Sequence, residues 1–237
     1  MTIKRLLLDG DVFVYRAAGA AKETEPVEAA LGNAKSMIHR VLHRFADAEP
    51  TVYLTGAGNF RDTRATIQPY KGNRDRSKRP CYYKQTREYL LDIWKAVLVE
   101  GIEADDAMGT EQWANKDKST CIVTNDKDLN MIPGWHYHFV NEDLYYVTLK
   151  EANRNFYLQM LSGDRTDHIR GCDGIGSVRA NRILVDAGSD PTAWASAIRQ
   201  EYQRCYGDSW KDALLETAAL LWIRREENQT ECPLPLL

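Results

Sequence analysis

Short apolar runs alternate with stretches of helical period through the first 148 residues, and that alternation leaves few architectures open. Residues 3–8 end in Leu6-Leu7-Leu8 and are closed by Asp9-Gly10, the pattern of a buried strand meeting a turn. Residues 13–21 read as a helix, broken by Glu23-Thr24-Glu25-Pro26. Residues 29–45 set Ala30, Ala34, Met37, Ile38, Val41, Leu42 and Phe45 at helical spacing, and residues 51–54 form a second strand after Pro50. This strand–helix–strand order predicts an α/β fold with a parallel sheet covered by helices. Further strands are expected at 97–99, 120–123 and 135–140, with 145–148 pairing locally. Helices are expected at 104–113 and 82–97, the latter with Tyr83, Tyr89, Leu90, Ile93 and Trp94 on its core face.

The pattern changes at Leu149. Residues 149–161, 178–187, 191–202 and 210–225 read as helices, Pro191 sitting in a first turn, and strand signals become sparse. The expected division is therefore 1–148 as an α/β core and 149–237 as a helical region, ending in an extended tail with two prolines. At 237 residues the chain can bury a sizeable core. No apolar run approaches the ~18 residues of a membrane span, and the N-terminus lacks a signal-peptide pattern. Five cysteines, odd in number and without a CxxC pair, indicate neither a disulfide framework nor a zinc site. A reducing, cytoplasmic setting fits, with no membrane and a monomer expected.

Carboxylates recur where strands should end and helices begin. Asp9 and Asp11 follow the leucine run, Glu103, Asp105 and Asp106 open a helix, and Asp126 and Asp128 follow Cys121-Ile122-Val123. Asp164 and Asp167 precede the turn Gly174-Ile175-Gly176. A fold that gathers six of these needs bound cations to offset their repulsion, which points to metal-dependent phosphodiester chemistry. Taken singly, each acid is equally a helix cap or a solvated loop residue. Glu103 and Asp106, three apart on one helix, face the same way, and Asp105 points about 100° off. Parallel sheets place their sites at the carboxyl ends of strands, which favours Asp9, Asp126 and Asp128. Asp11 is equally placed to cap the next helix. Oxygen-only donors suit Mg²⁺ or Mn²⁺.

The net charge of −3 hides a segregated basic stretch: Arg61, Arg64, Lys71, Arg74, Arg76, Lys78 and Arg79 are opposed only by Asp62 and Asp75, a local +5. Residues 56–80 show no apolar period, which marks them as functional or disordered. Within them, Tyr70 has a ring that could stack on a base, and Lys71 and Arg74 could neutralise phosphates. The Gly174-Ile175-Gly176 turn lets backbone approach a phosphate or a cation, and Arg179 adds a phosphate contact.

These pieces together resemble the 5′-nuclease family: flap endonucleases, bacteriophage 5′–3′ exonucleases and the 5′-nuclease domain of bacterial DNA polymerase I. The matching segments are Leu7-Leu8-Asp9-Gly10, the run from Tyr70 to Arg74, Gly101-Ile102-Glu103-Ala104-Asp105-Asp106, Thr124-Asn125-Asp126-Lys127-Asp128 and the run from Gly163 to Gly176, in the family's order. The short length resembles a bacteriophage enzyme most, which would place it in a host cytoplasm. The resemblance implies a PIN-like core with a helical arch (57–98) and a helix–three-turn–helix element in a C-terminal DNA-binding region. It implies two Mg²⁺ or Mn²⁺ ions held by Asp9, Glu103, Asp105, Asp106, Asp126, Asp128, Asp164 and Asp167. It makes Lys71 and Arg74 electrostatic catalysts and Arg16 a substrate contact. Gly174 and Gly176 would shape a K⁺-assisted grip on duplex DNA. One departure stands out: Gly56 occupies a place where relatives carry a further acid.

The expected function is a divalent-metal-dependent 5′–3′ exonuclease or flap endonuclease acting on DNA with a 5′ end, flap or nick, or on RNA primers paired to DNA. Two alternatives stay open: a PIN-like ribonuclease, and a non-catalytic protein that binds branched DNA.

Overall fold

The elements along the chain are β1 (Arg5–Asp9), α1 (Gly10–Ala20), α2 (Val27–Arg44), β2 (Glu49–Thr55), α3 (Arg61–Arg64), α4 (Tyr83–Asp92), β3 (Val97–Val99), α5 (Ala104–Ala114), β4 (Thr120–Thr124), β5 (Gly134–His138), β6 (Asp143–Val147), α6 (Leu149–Ser162), α7 (Ser177–Asp186), α8 (Pro191–Tyr206) and α9 (Trp210–Leu221). This computed structural model describes residues 2–229 and 231–236; Met1, Thr230 and Leu237, and the side chain of Arg76 from the basic stretch, lie outside the described residues. The chain divides into two units, the first of residues 1–59, 75–148 and 224–227, the second of residues 60–74, 149–223 and 228–237.

In the first unit the described strands form one sheet of order β3-β2-β1-β4-β5-β6. β1 pairs in parallel with β2 and β4, placing Leu8 opposite both Val52 and Val123. The parallel expectation holds through β5, while β6 returns antiparallel against it, the local pairing foreseen near Tyr145. Strand order reverses between β1 and β4, and open α/β sheets bind ligands at the carboxyl side of such a reversal. Alternation along β1 sends Leu6 and Leu8 to a core with Phe13 and Val14 of α1, Ile38 and Val41 of α2 and Leu90 of α4. Gly10 admits no side chain there, because a Cβ would lie 2.4 Å from the Tyr53 carbonyl oxygen.

Helix α4 ends at Asp92, five residues short of the helix expected over 82–97. Lys95 adopts φ 52°, the Ala96 amide closes back onto the Leu90 carbonyl, and Val97 pairs with Tyr53 as β3 begins. Strand pairing overrides helical periodicity, and Ile93, expected in the core, is left 64% exposed.

The second unit is helical. Trp194, Tyr157, Phe156, Met160, Ile198 and Tyr202 are fully buried or nearly so. The Trp194 indole donates to the carbonyls of Leu184 (3.1 Å) and Gly188 (2.9 Å), tying the end of α7 to α8. Residues 56–80, read as structureless, contain α3 and a 3₁₀ turn at Arg76–Lys78. Buried Arg61 of α3 donates to the carbonyls of Leu220 (2.9 Å) and Trp222 (2.8 Å), so α9 stops at Leu221 instead of running to Arg225. All five cysteines are free. Among the described residues no helix is long and apolar enough to cross a membrane.

Candidate active site

Asp9 closes β1 and is only 3% exposed. Its carboxylate accepts the Val12 amide at 3.2 Å, capping α1, and the Thr124 hydroxyl at 2.7 Å. Burial, reinforced by the charges of Asp11 and Asp126, holds its carboxyl well above the usual carboxylate range, against the opposing pull of those hydrogen bonds. Thr124 ends β4 and works in both directions: it donates to Asp9 and accepts the Asp126 amide at 2.9 Å. Asp126 in turn accepts the Asp128 amide at 2.9 Å, so Asp126 and Asp128 share one turn. Asp9 and Asp126 therefore stand at the two strands where sheet order reverses, joined through one threonine.

The helix-opening acids have structural work as well. Glu103 and Asp106 form a capping box at the start of α5, in which Asp106 accepts the Glu103 amide at 3.1 Å. Two of the three acids at this helix start thus receive a local explanation that the dipole alone does not supply. Asp106 is fully buried and also accepts the Arg224 amide at 3.0 Å. Glu103 accepts from Asn59 at 2.9 Å, and Asp105 stands half-buried between them in sequence. Asp11 faces Arg87 at 2.9 Å and the Thr55 amide at 2.9 Å.

Among the described residues no three His, Cys, Asp or Glu side chains stand together so as to hold an ion. Asp9, Glu103, Asp106, Asp126, Asp164 and Asp167 each accept a hydrogen bond from a backbone amide, a side-chain amide, a hydroxyl or a guanidinium. The donor chemistry still fits a hard divalent cation. The acids offer only oxygen, and Asp9 is held in the proximity of Asp11 and Asp126 that a cation would relieve.

Gly56 has no room for an acid in this arrangement. A Cβ there would lie 2.6 Å from the Val99 carbonyl oxygen, with the Glu100 carboxylate, which accepts the Ala57 amide at 2.7 Å, equally close. Arg16 is exposed on α1, its guanidinium 6.0 Å from the Phe139 ring centre.

In the second unit Asp164 accepts the Thr166 amide at 2.7 Å. Asp167 gathers the basic motif: it accepts the Tyr70 hydroxyl at 2.8 Å and Arg74 at 2.5 Å, with the Lys71 ammonium 3.4 Å away. Tyr70, expected to offer its ring to a nucleotide, is 8% exposed, with Lys71 4.9 Å from its ring centre. It braces the segment in this state. Glu216 accepts the amides of Thr66 and Ile67, each at 2.8 Å, so the stretch read as functional or disordered has a defined course. Gly174 adopts φ 76°, and its carbonyl accepts Arg179 at 3.4 Å. Gly176 caps α7 with open space where a Cβ would stand. Gly176, Ser177, Val178, Arg179 and Arg182 line a concavity of about 460 Å³.

Sequence reading singled out neither Arg87 nor Asn59, whose partners are 76 and 44 positions distant, and held Thr124 only as the first residue of a matching motif, without its partner 115 positions away. No local pattern marks such partners.

The sequence model of a family described as "5'-3' exonuclease, N-terminal resolvase-like domain" matches residues 4–160. The chain is 29% identical over 205 residues to the thermostable DNA polymerase I of Thermus filiformis, covering 78% of this chain and 24% of that protein. With DNA polymerase I of Pseudomonas aeruginosa the identity is 27% over 207 residues, covering 77% and 22%. The chain thus spans about a quarter of the length of these curated relatives. Among solved structures, T5 5'-exonuclease with bound zinc ions superposes with a TM-score of 0.70 at 18% identity, covering 92% of this chain and 89% of that one. The catalytic core of Rad2 in complex with DNA substrate gives 0.54 at 16% identity, covering 90% and 72%. These two are likenesses of fold.

Proposed function

The chain belongs to the family of 5'-3' exonuclease N-terminal resolvase-like domains, and from that premise we propose that it is a divalent-metal-dependent nuclease hydrolysing phosphodiester bonds at DNA 5′ ends, flaps or nicks, or in RNA primers paired to DNA. The observation that carries this reading is the pairing of Asp9 and Asp126, through Thr124, at the reversal of strand order. Relatives named DNA polymerase I and a fold shared with T5 5'-exonuclease support it.

Asp9, Asp126 and Asp128, with Glu103, Asp105 and Asp106, are the groups proposed to hold Mg²⁺ or Mn²⁺ on the first unit; Asp164 and Asp167 carry the same proposed role on the second. Two such ions would supply an activated water and neutralise the attacking and leaving oxygens. The chain's own part is to fix the oxygen donors. Thr124 orients the Asp9 carboxylate, and the amide hydrogen bonds of Asp126 and Asp106 set their planes. Lys71 and Arg74 are proposed to stabilise charge on the phosphate, Arg16 and Tyr70 to contact substrate. Gly174, Gly176 and Arg179 grip backbone phosphates, with K⁺ proposed at the Gly174-Ile175-Gly176 carbonyls. Phosphate contacts position DNA without reading bases, so the specificity is for structure. The catalytic core is proposed as 1–148 with the arch at 57–98, and the DNA-binding region as 149–237.

The test is cleavage of a 5′-labelled DNA flap and of single-stranded RNA, each with Mg²⁺ or Mn²⁺ and with EDTA. Flap cleavage abolished by EDTA is expected. Preference for single-stranded RNA would indicate the PIN-like ribonuclease. Tight flap binding without cleavage in either metal would indicate a non-catalytic protein.

A further inference from the structure

We infer that Arg87 is a positioning residue for the acid-bearing strand and helix ends of the first unit, acting through Asp11 and Thr55; the role rests on the nuclease reading above. Arg87 lies on α4 and donates one nitrogen to the Asp11 carboxylate at 2.9 Å and another to the Thr55 carbonyl. The second Asp11 oxygen accepts the Thr55 amide at 2.9 Å. Carboxylate and guanidinium together close both backbone groups of the last residue of β2. The Thr55 hydroxyl oxygen accepts the Ala104 amide at 3.0 Å, at the first residue of α5. One side chain on α4 is thereby joined to the start of α1 beside Asp9, the end of β2, and the helix start that carries Glu103, Asp105 and Asp106.

The clamp also accounts for Asp11. One of its oxygens holds Arg87 of α4 and the other the end of β2, which makes it an anchor between those elements. Arg87 offsets a carboxylate whose charge bears directly on buried Asp9. With side-chain exposures of 20% and 29%, the pair is more sheltered than an ordinary surface ion pair, and its two-pronged geometry fixes direction as well as distance. A shift of α4, which follows the basic stretch in sequence, would reach the acids through Asp11, two residues from Asp9, and through Ala104, next to Glu103. The positions come from chain segments 32 to 76 residues apart.

The experiment compares Arg87→Gln, Arg87→Lys and Asp11→Asn with the wild type on the full chain. Amide exchange at Thr55 and Ala104 is measured in metal-free protein, with Tyr137 as reference. Mn²⁺ half-saturation is read from thermal shift, and single-turnover flap cleavage is read beside DNA affinity. For Arg87→Gln we expect faster exchange at Thr55 and Ala104 but not at Tyr137, and Mn²⁺ half-saturation raised by about 10-fold. Cleavage is expected about 10–100-fold slower, with DNA affinity within about 3-fold, and Arg87→Lys recovering part of the loss. Wild-type exchange, Mn²⁺ uptake and cleavage with only a lowered Tm would overturn the positioning role. Wild-type protein that takes up no Mn²⁺ and cleaves nothing would overturn the nuclease reading, and the role with it.

Discussion

The Asp9 carboxyl is met by groups from separate parts of the chain: the Val12 amide, the Thr124 hydroxyl and the charges of Asp11 and Asp126. Its position was legible because three leucines followed by Asp-Gly mark a buried strand ending in a turn. Its environment was not, because Thr124 reaches it only once β1 and β4 pair. His136 shows the same limit. Alternation on β5 placed it on a strand, but only the fold reveals that it is fully buried, with Nε2 2.8 Å from the Ile132 carbonyl and Nδ1 without a partner among the described residues. Burial, only partly opposed by that hydrogen bond, pushes its pKa down to about 4. The unfolded chain then binds the extra proton first as pH falls. Stability is complete above the ordinary histidine pKa of roughly 6.5 and is lost on acidification down to about 4. Unfolding by denaturant should show this contribution fall by about 2 kcal/mol between pH 7 and pH 5, and His136→Gln should flatten that part of the curve.

Element boundaries failed where long-range contacts end a helix. In α4 the apolar period continues through Ile93 and Trp94, yet the chain turns at Lys95 to pair β3 with β2. In α9 the helix stops where Arg61 takes up its last carbonyls, and Arg225 lies buried on the first unit, donating to the Met131 carbonyl at 2.6 Å. A guanidinium from a residue 159 positions earlier cannot be read from the helix it terminates. Its replacement should therefore cost more than a surface arginine. Arg61→Ala is expected to destabilise by about 3 kcal/mol in denaturant unfolding, since it empties volume and strips donors from buried carbonyls. Arg61→Lys should cost about half as much, because one ammonium cannot follow both carbonyl directions.

At the scale of the whole molecule, the alternation of strand and helix patterns before Leu149, and its absence afterward, was enough to expect an α/β core followed by helices. What it could not show is that residues 60–74 pack with the second unit, where Glu216, Asp167 and α9 hold them. Those contacts join segments 93 to 159 positions apart. The acids of the first unit were legible as a series because they cluster at strand ends and helix starts. Their individual partners were not, since carboxylates close to one another in the fold settle on whichever amide, hydroxyl or cation the packing brings near. Asp9 and Asp126 are proposed as the heart of a metal-dependent DNA-cleaving site. The most direct measurement is cleavage of a 5′-labelled flap by Asp126→Asn in Mg²⁺ or Mn²⁺, with flap binding measured in parallel. The account predicts a loss of cleavage of at least about 100-fold, with binding kept within about 5-fold; wild-type cleavage by the variant, or cleavage that survives EDTA, would contradict it.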